Sequence, residues 1–157
     1  MAHFILDEWL WSDLRGENRA GNPKAQSQSF ALLEKIFEIC DKIVIVEGSA
    51  FSRKLWSLSK EATDPVRRGI VKYFKDKFLY NPNKVVKLNQ DDLVAIDQSL
   101  AAQTQTKDHY LIQAHLAYRE SVIVTTDSGL ESALRQHNIP CEHRNTFIER
   151  YTKAPKA

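Results

Sequence analysis

Two runs restrict the folds open to this chain. KIVIV (Lys42–Val46) and SVIVT (Ser121–Thr125) are apolar and β-branched on nearly every consecutive residue. A strand with one wet face alternates apolar and polar residues, so a continuous run predicts a strand covered on both faces. Such strands belong to parallel sheets, whose crossover connections are helices. HFIL (His3–Leu6), KVVKL (Lys84–Leu88) and a weaker IPCEHR (Ile139–Arg144) read as further strands.

Helical patterns separate these strands. SFALLEKIFEICDK spaces Phe30, Leu33, Phe37 and Cys40 as a helical stripe, widened by Leu32, Ile36 and Ile39. A helix is predicted over Phe51–Leu58. Another opens at Thr63-Asp64-Pro65, with Val66, Ile70, Tyr73 and Phe74 inward. Asn89 and the acids behind it predict a helix with Leu93, Ile96 and Leu100 inward. Thr106–Tyr118, Leu130–Asn138 and Asn145–Tyr151 complete the helical set, and polar Arg15–Gln28 reads as a loop. The alternation predicts an α/β fold, a three-layer α/β/α sandwich around a parallel sheet. One domain is expected over 1–152, with a frayed tail at 153–157.

Composition narrows the classes. The chain has 157 residues, 43% of them hydrophobic, which suits one domain with its own core. A net charge of +2 permits a nucleic-acid partner without requiring one. With Cys40 and Cys141 as the only cysteines, neither a zinc cluster nor a disulfide scaffold is expected. MAHFILDEWLW lacks a basic leader and does not read as a signal peptide. No run approaches the ~20 apolar residues of a membrane span. A cytoplasmic protein with no membrane partner is expected. No G-x-S-x-G or P-loop is present, and Asp7-Glu8-Trp9 breaks the D-x-D of haloacid-dehalogenase-like enzymes.

In parallel α/β sheets, ligands sit at the carboxyl ends of the strands. Asp7 follows the first strand and Asp127 follows SVIVTT. Asp108 opens the helix leading into that strand. Three carboxylates gathered there repel one another unless a cation is present, and oxygen-only ligands suit Mg²⁺ or Mn²⁺. Each acid also has a structural alternative. Asp7 could cap a helix in EWLWSDL, and Asp108 suits a helix dipole. Asp127 is freer of such a task, because Ser128 and Glu131 have capping-box spacing and Ser128 would be the cap.

FILD, KDHYLIQAHLA and VIVTTDSGL, in that order and spanning nearly the whole chain, resemble the PIN-domain family. Its most specific element here is the T-x-D strand end of Thr125, Thr126 and Asp127 behind an Asp-led helix. The resemblance implies an α/β/α metal-dependent ribonuclease acting on RNA, with Asp7, Asp108 and Asp127 as catalytic metal ligands and Thr125 or Thr126 as a nearby hydroxyl. It further implies a possible antitoxin protein as partner, as in toxin–antitoxin pairs, and a possible homodimer. The family usually places another acid in the helix after the second strand. Here those positions hold Ser52, Arg53 and Lys54, while Glu47 lies earlier, at the strand end. Either Glu47 substitutes as a ligand or the site lacks that acid. The alternative is a PIN-like domain without catalysis that binds RNA or a protein.

The expected chemistry is phosphodiester hydrolysis, with Mg²⁺ or Mn²⁺ acidifying water and offsetting phosphate charge. Thr126 and Ser128 are candidate substrate or water contacts, with strand-forming and capping roles as their alternatives. Arg53, Lys54 and Lys107 are candidate phosphate contacts. Arg68, Lys72 and Lys75 form a helix stripe that reads as a solvated face. Trp9, Trp11 and Trp56 read as core or interface packing rather than base stacking, and His109 and His115 as structural or surface residues.

Overall fold

The computed structural model describes residues 1–16, 23–60 and 65–154. One sheet is built from β1 (His3–Leu6), β2 (Lys42–Val46), β3 (Val85–Leu88), β4 (Ser121–Thr125) and β5 (Cys141–His143). All pairs are parallel, in the order β3-β2-β1-β4-β5. The chain winds outward from β1 through β2 to β3, then returns to the other side of β1 for β4 and β5. This reversal makes the β1/β4 junction the switch point of the sheet.

Both faces of the strands are covered, as the continuous runs require. Phe4, Leu6, Ile43, Ile45 and Val124 face one core. It is closed by α1 (Trp9–Arg15), α2 (Pro23–Glu38), α3 (Ala50–Lys60), α4 (Pro65–Phe74) and α8 (Arg144–Lys153). Ile5, Val44, Val46 and Ile123 face the other core, under α5 (Gln98–Gln103), α6 (His109–Ala117) and α7 (Ser128–Gln136). The result is the expected three-layer α/β/α sandwich. Among the described residues, no helix is long and apolar enough to cross a membrane.

Several local expectations are corrected. The predicted loop over Arg15–Gln28 is partly helical: Arg15 ends α1, and α2 already starts at Pro23. Proline is favoured at a first helical position, where its missing N–H is not needed. Residues 17–22 of that loop lie outside the described residues, as do Thr63 and Asp64 of the predicted helix start and 155–157 of the tail. Val66 shares the stripe of Ile70 but is 60% exposed, because the first turn of α4 outruns the core. The helix predicted from Asn89 is broken. Asn89 and Asp92 cap each other around a single 3-10 turn, Gln90–Asp92, and Leu93 is extended before α5 begins at Gln98. Leu93 and Ile96 still pack on the core from this segment. α8 runs through Lys153, one residue into the expected tail. Trp9 and Trp11 are buried as expected, but Trp56 is 43% exposed.

Trp11 is the largest fully buried side chain. Its indole N–H donates to the Phe51 carbonyl at 3.0 Å, and its ring lies 4.9 Å from Phe51 and 4.7 Å from Phe74. Trp11→Ala removes this packing and the indole hydrogen bond. The expected loss of unfolding free energy is about 4 kcal/mol, read by urea denaturation.

Candidate functional site

The β1/β4 register, with Leu6 opposite Val124, brings Asp7 to the end of β4. The Asp7 amide donates to the Val124 carbonyl at 3.3 Å. Its carboxylate does not cap α1 in the usual way, since it accepts from the adjacent Glu8 amide at 2.7 Å. Tyr110 Oη donates to the same oxygen at 3.4 Å, and Thr125 Oγ1 donates to the other at 3.4 Å. The Asp127 amide in turn donates to Thr125 Oγ1 at 3.1 Å. One fully buried hydroxyl, at the last residue of β4, therefore links the two strand-end acids.

Asp127 overturns an expectation. It is the N-cap of α7, and its Oδ1 accepts from the Leu130 amide at 3.1 Å. Ser128 is already helical, so the Ser128–Glu131 capping box does not form. Asp127 is the last extended residue before the helix, the position where a side chain can fold back onto the first turn. Gly129 leaves room for it, since a Cβ there would lie 3.2 Å from Asp127 Oδ1.

Asp108 is buried immediately before α6, in a 3-10 turn over Thr106–Asp108. It borders two hollows. One is a cleft of about 480 Å³ whose lining includes Asp7, Glu8, Asp108, Thr126, Lys54 and Lys107. The other is a recess of about 130 Å³ shared with Asp127 and Gly129. Asp7 and Asp108 thus open on the same cleft, while Asp127 faces the recess behind Asp108.

The acids perturb one another. Burial is the main cause raising the Asp7 carboxyl above the ordinary range. The Glu8 charge adds to it, and hydrogen bonds from the Glu8 amide, Thr125 and Tyr110 oppose it. Asp108 is raised first by burial and then by the charge of Asp7. Asp127 and Glu8 add to this, and Lys107 opposes it. Burial and the charges of Asp7, Glu8 and Asp108 also push the Tyr110 phenol upward, which keeps it protonated as a donor.

Among the predicted phosphate contacts, Lys54 and Lys107 line the cleft, with Lys54 3.1 Å from Glu8. Thr126 lines it too. Arg53 is exposed and lies outside that lining, and Ser128 is exposed at the start of α7. Glu47 is also exposed and outside the lining. Its amide donates to the Leu88 carbonyl and its carbonyl accepts from Gln90 Nε2, both on the β3 side, before the chain turns at Gly48 (φ 76°). His115 bonds Ser121 at the opposite end of β4.

The floor of the cleft is not legible in the sequence. Arg144 Nε lies 2.6 Å from Asp13 Oδ2, with the two side chains only 8% and 4% exposed. Ser29 Oγ donates to the same oxygen at 2.8 Å, and the guanidinium sits 5.5 Å from the Trp9 ring. The available signal was Asp13 itself. It follows Trp9 by four residues on an inward stripe, and a buried acid demands a partner. Nothing local identified Arg144 as that partner.

Among the described residues, no group of three or more His, Cys, Asp or Glu side chains is placed to hold a metal ion. The donor chemistry of Asp7 and Asp108 nevertheless fits a hard divalent cation. They are two crowded carboxyls on one cleft, and Mg²⁺ is commonly held by one or two carboxylates, with water and phosphate completing its shell. Comparisons with protein-family models, curated proteins and solved structures give no match to this chain.

Two outcomes follow from this geometry. Asp7 and Asp108 have folded pKa values above their unfolded ones, so each contributes stability that is present below the unfolded value and lost as pH rises through the folded one. Asp7→Asn and Asp108→Asn should therefore melt above the wild type near neutral pH. That gain should shrink as pH falls and be lost below about pH 4, where unfolded carboxylates protonate. Asp13→Ala leaves the Arg144 charge buried and should cost about 3–5 kcal/mol, measured by chemical denaturation.

Proposed function

We propose that this chain is a cytoplasmic, metal-dependent ribonuclease that hydrolyses RNA phosphodiester bonds at the β1/β4 switch point. One observation carries the reading: Asp7 and Asp108 open on one cleft at the carboxyl ends of the strands, at a visible electrostatic cost, with Lys54 and Lys107 on its walls. Clustered acids perturbed by burial and by one another in a cleft are candidates for a functional site.

Asp7 and Asp108 are the residues that would hold Mg²⁺ or Mn²⁺. When bound, the cation supplies Lewis acidity toward water and phosphate oxygens. Thr125 and Tyr110 hold the Asp7 carboxylate in place, and the buried hydroxyl of Thr125 ties that orientation to the start of α7. Lys107 offsets charge beside Asp108. Lys54 can exchange its Glu8 partner for an RNA phosphate. Asp127 contributes its charge from behind Asp108 while capping α7. The reading extends to a toxin restrained by an antitoxin protein, and to a homodimer.

A second reading, an RNA- or protein-binding domain without catalysis, is favoured by one feature. Asp127 Oδ1 is committed to a helix cap, and among the described residues no three acids are placed to hold one metal ion.

The test is cleavage of a labelled single-stranded RNA with Mn²⁺. Asp7→Asn and Asp108→Asn should each lower the rate on the order of 10²-fold or more. Asp127→Asn preserves the cap, because Asn caps as well as Asp, so a loss there reports charge. Mn²⁺ affinity should fall with decreasing pH, as protons compete with the ion for the carboxyls of Asp7 and Asp108, which are raised in the metal-free protein. Wild-type protein that binds RNA but never cleaves it, with Mn²⁺ present, establishes the second reading instead.

A further inference from the structure

The unit from α4 to β3 differs in charge from the rest of the chain. Residues 65–88 hold seven Lys or Arg and one acid, Asp76, a net +6. The whole chain carries +2, so the other 133 residues carry a net −4. Lys84 turns inward to the carbonyls of Ile36 and Ile39. Arg68, Lys72, Lys77 and Lys87 are exposed and Lys75 is half-buried. The solvated stripe read from the sequence is thus part of a larger basic surface.

Two hollows lie side by side on this surface. One, of about 280 Å³, is lined by Arg68, Lys72, Lys75, Asp76 and Tyr80, among others. The next, of about 430 Å³, is lined by Tyr80, Pro82 and Lys87 with Leu79 and Val85. Tyr80 stands between them and is 61% exposed. Exposed Trp56 extends the track on the other side, with Lys75 Nζ 4.6 Å from its ring centroid. Lys87 Nζ lies 5.8 Å from the Tyr80 ring. Large aromatic side chains are normally buried, and here two remain exposed, each beside a cation.

We infer that this groove, running from Trp56 past Arg68 and Lys75 to Tyr80 and Lys87, binds single-stranded RNA outside the acidic cleft. Its ligand class rests on the ribonuclease reading, but its residues are independent of the cleft. The charge selects a polyanion. The exposed ring faces select unpaired bases, since a duplex keeps its bases stacked within itself. Among the described residues lining the groove the one acid, Asp76, is neutralised by Lys72 at 2.7 Å. α3 connects the two regions, presenting Lys54 to the cleft and Trp56 to the groove.

The experiment is fluorescence anisotropy of a labelled single-stranded RNA of about 12 nucleotides, in EDTA so that cleavage does not intervene. The wild type should bind with a steep salt dependence. RNA should quench tryptophan emission through Trp56, because Trp9 and Trp11 are buried, and Trp56→Phe should abolish the quench. Tyr80→Ala should weaken binding about 10-fold, and Arg68→Gln should lower the salt slope by about one. Circular dichroism melts check that these surface variants fold. Wild-type affinity in both Tyr80→Ala and Trp56→Ala overturns the inference. So does equal affinity for a duplex of the same length, or displacement of the RNA by poly-glutamate at matched charge. Binding as expected without cleavage in Mn²⁺ removes the ribonuclease reading alone. Cleavage with groove variants binding like wild type removes the groove alone.

Discussion

β1 is paired in parallel on both sides, to β2 and to β4, and most of the architecture depends on that arrangement. The strand has four residues, and all are buried. With both edges occupied and both faces covered, its position leaves little slack, because a one-residue slip would exchange Phe4 and Leu6 with Ile5 between the two cores. The same pairing creates the switch in strand order. The crevice follows from it, since helices leave β1 and β4 toward opposite faces and cannot fill the space between the strand ends. Asp7 is in the crevice because it is the next residue after the strand.

The cleft built there mixes stabilising and destabilising electrostatics. Its floor is a buried ion pair joining α1 to α8, with Ser29 of α2 donating to the same carboxylate oxygen. Such a pair adds little to stability over an apolar replacement, but it penalises any arrangement that separates the charges. It thus holds three helices in register beneath the acids. Above it, Asp7 and Asp108 crowd one another with partial relief from Lys107. A fold that carries such an unfavourable cluster on a well-determined scaffold has the usual form of a functional site. Basic charge is concentrated elsewhere, along α4 and the edge strand β3. The edge position carries a further benefit: Lys87 on the open side of the sheet discourages strand addition by other chains.

Much of the fold was legible in the sequence. Each β-branched run became a strand within a residue or so of its expected limits, since burial on both faces imposes a pattern on consecutive residues. The three acids at strand and helix ends were legible for the same reason, as polar residues that interrupt apolar runs. The misreadings concern competition between equivalent local solutions. Asp127 and Ser128 are both good caps, and the choice depends on where β4 releases the chain. Asn89 begins a helical turn that closes on itself through Asp92, and the apolar spacing beyond it resembles a continuing helix.

The sequence by itself determined the strands, the layer order and the acids available at the carboxyl ends, because these depend on contacts between near neighbours and on the period of side-chain direction. The tertiary structure alone decided how those acids are used. Asp7 and Asp108 share a cleft while Asp127 caps a helix, and Glu47 lies outside that cleft beside β3. Arg144 reaches Asp13 across 131 residues, and Trp56 and Tyr80 stay exposed beside lysines. The reason is physical: a carboxylate's partners, its solvation and its charge neighbours come from whichever segments pack around it. Those segments are distant in the chain, so no local pattern records them.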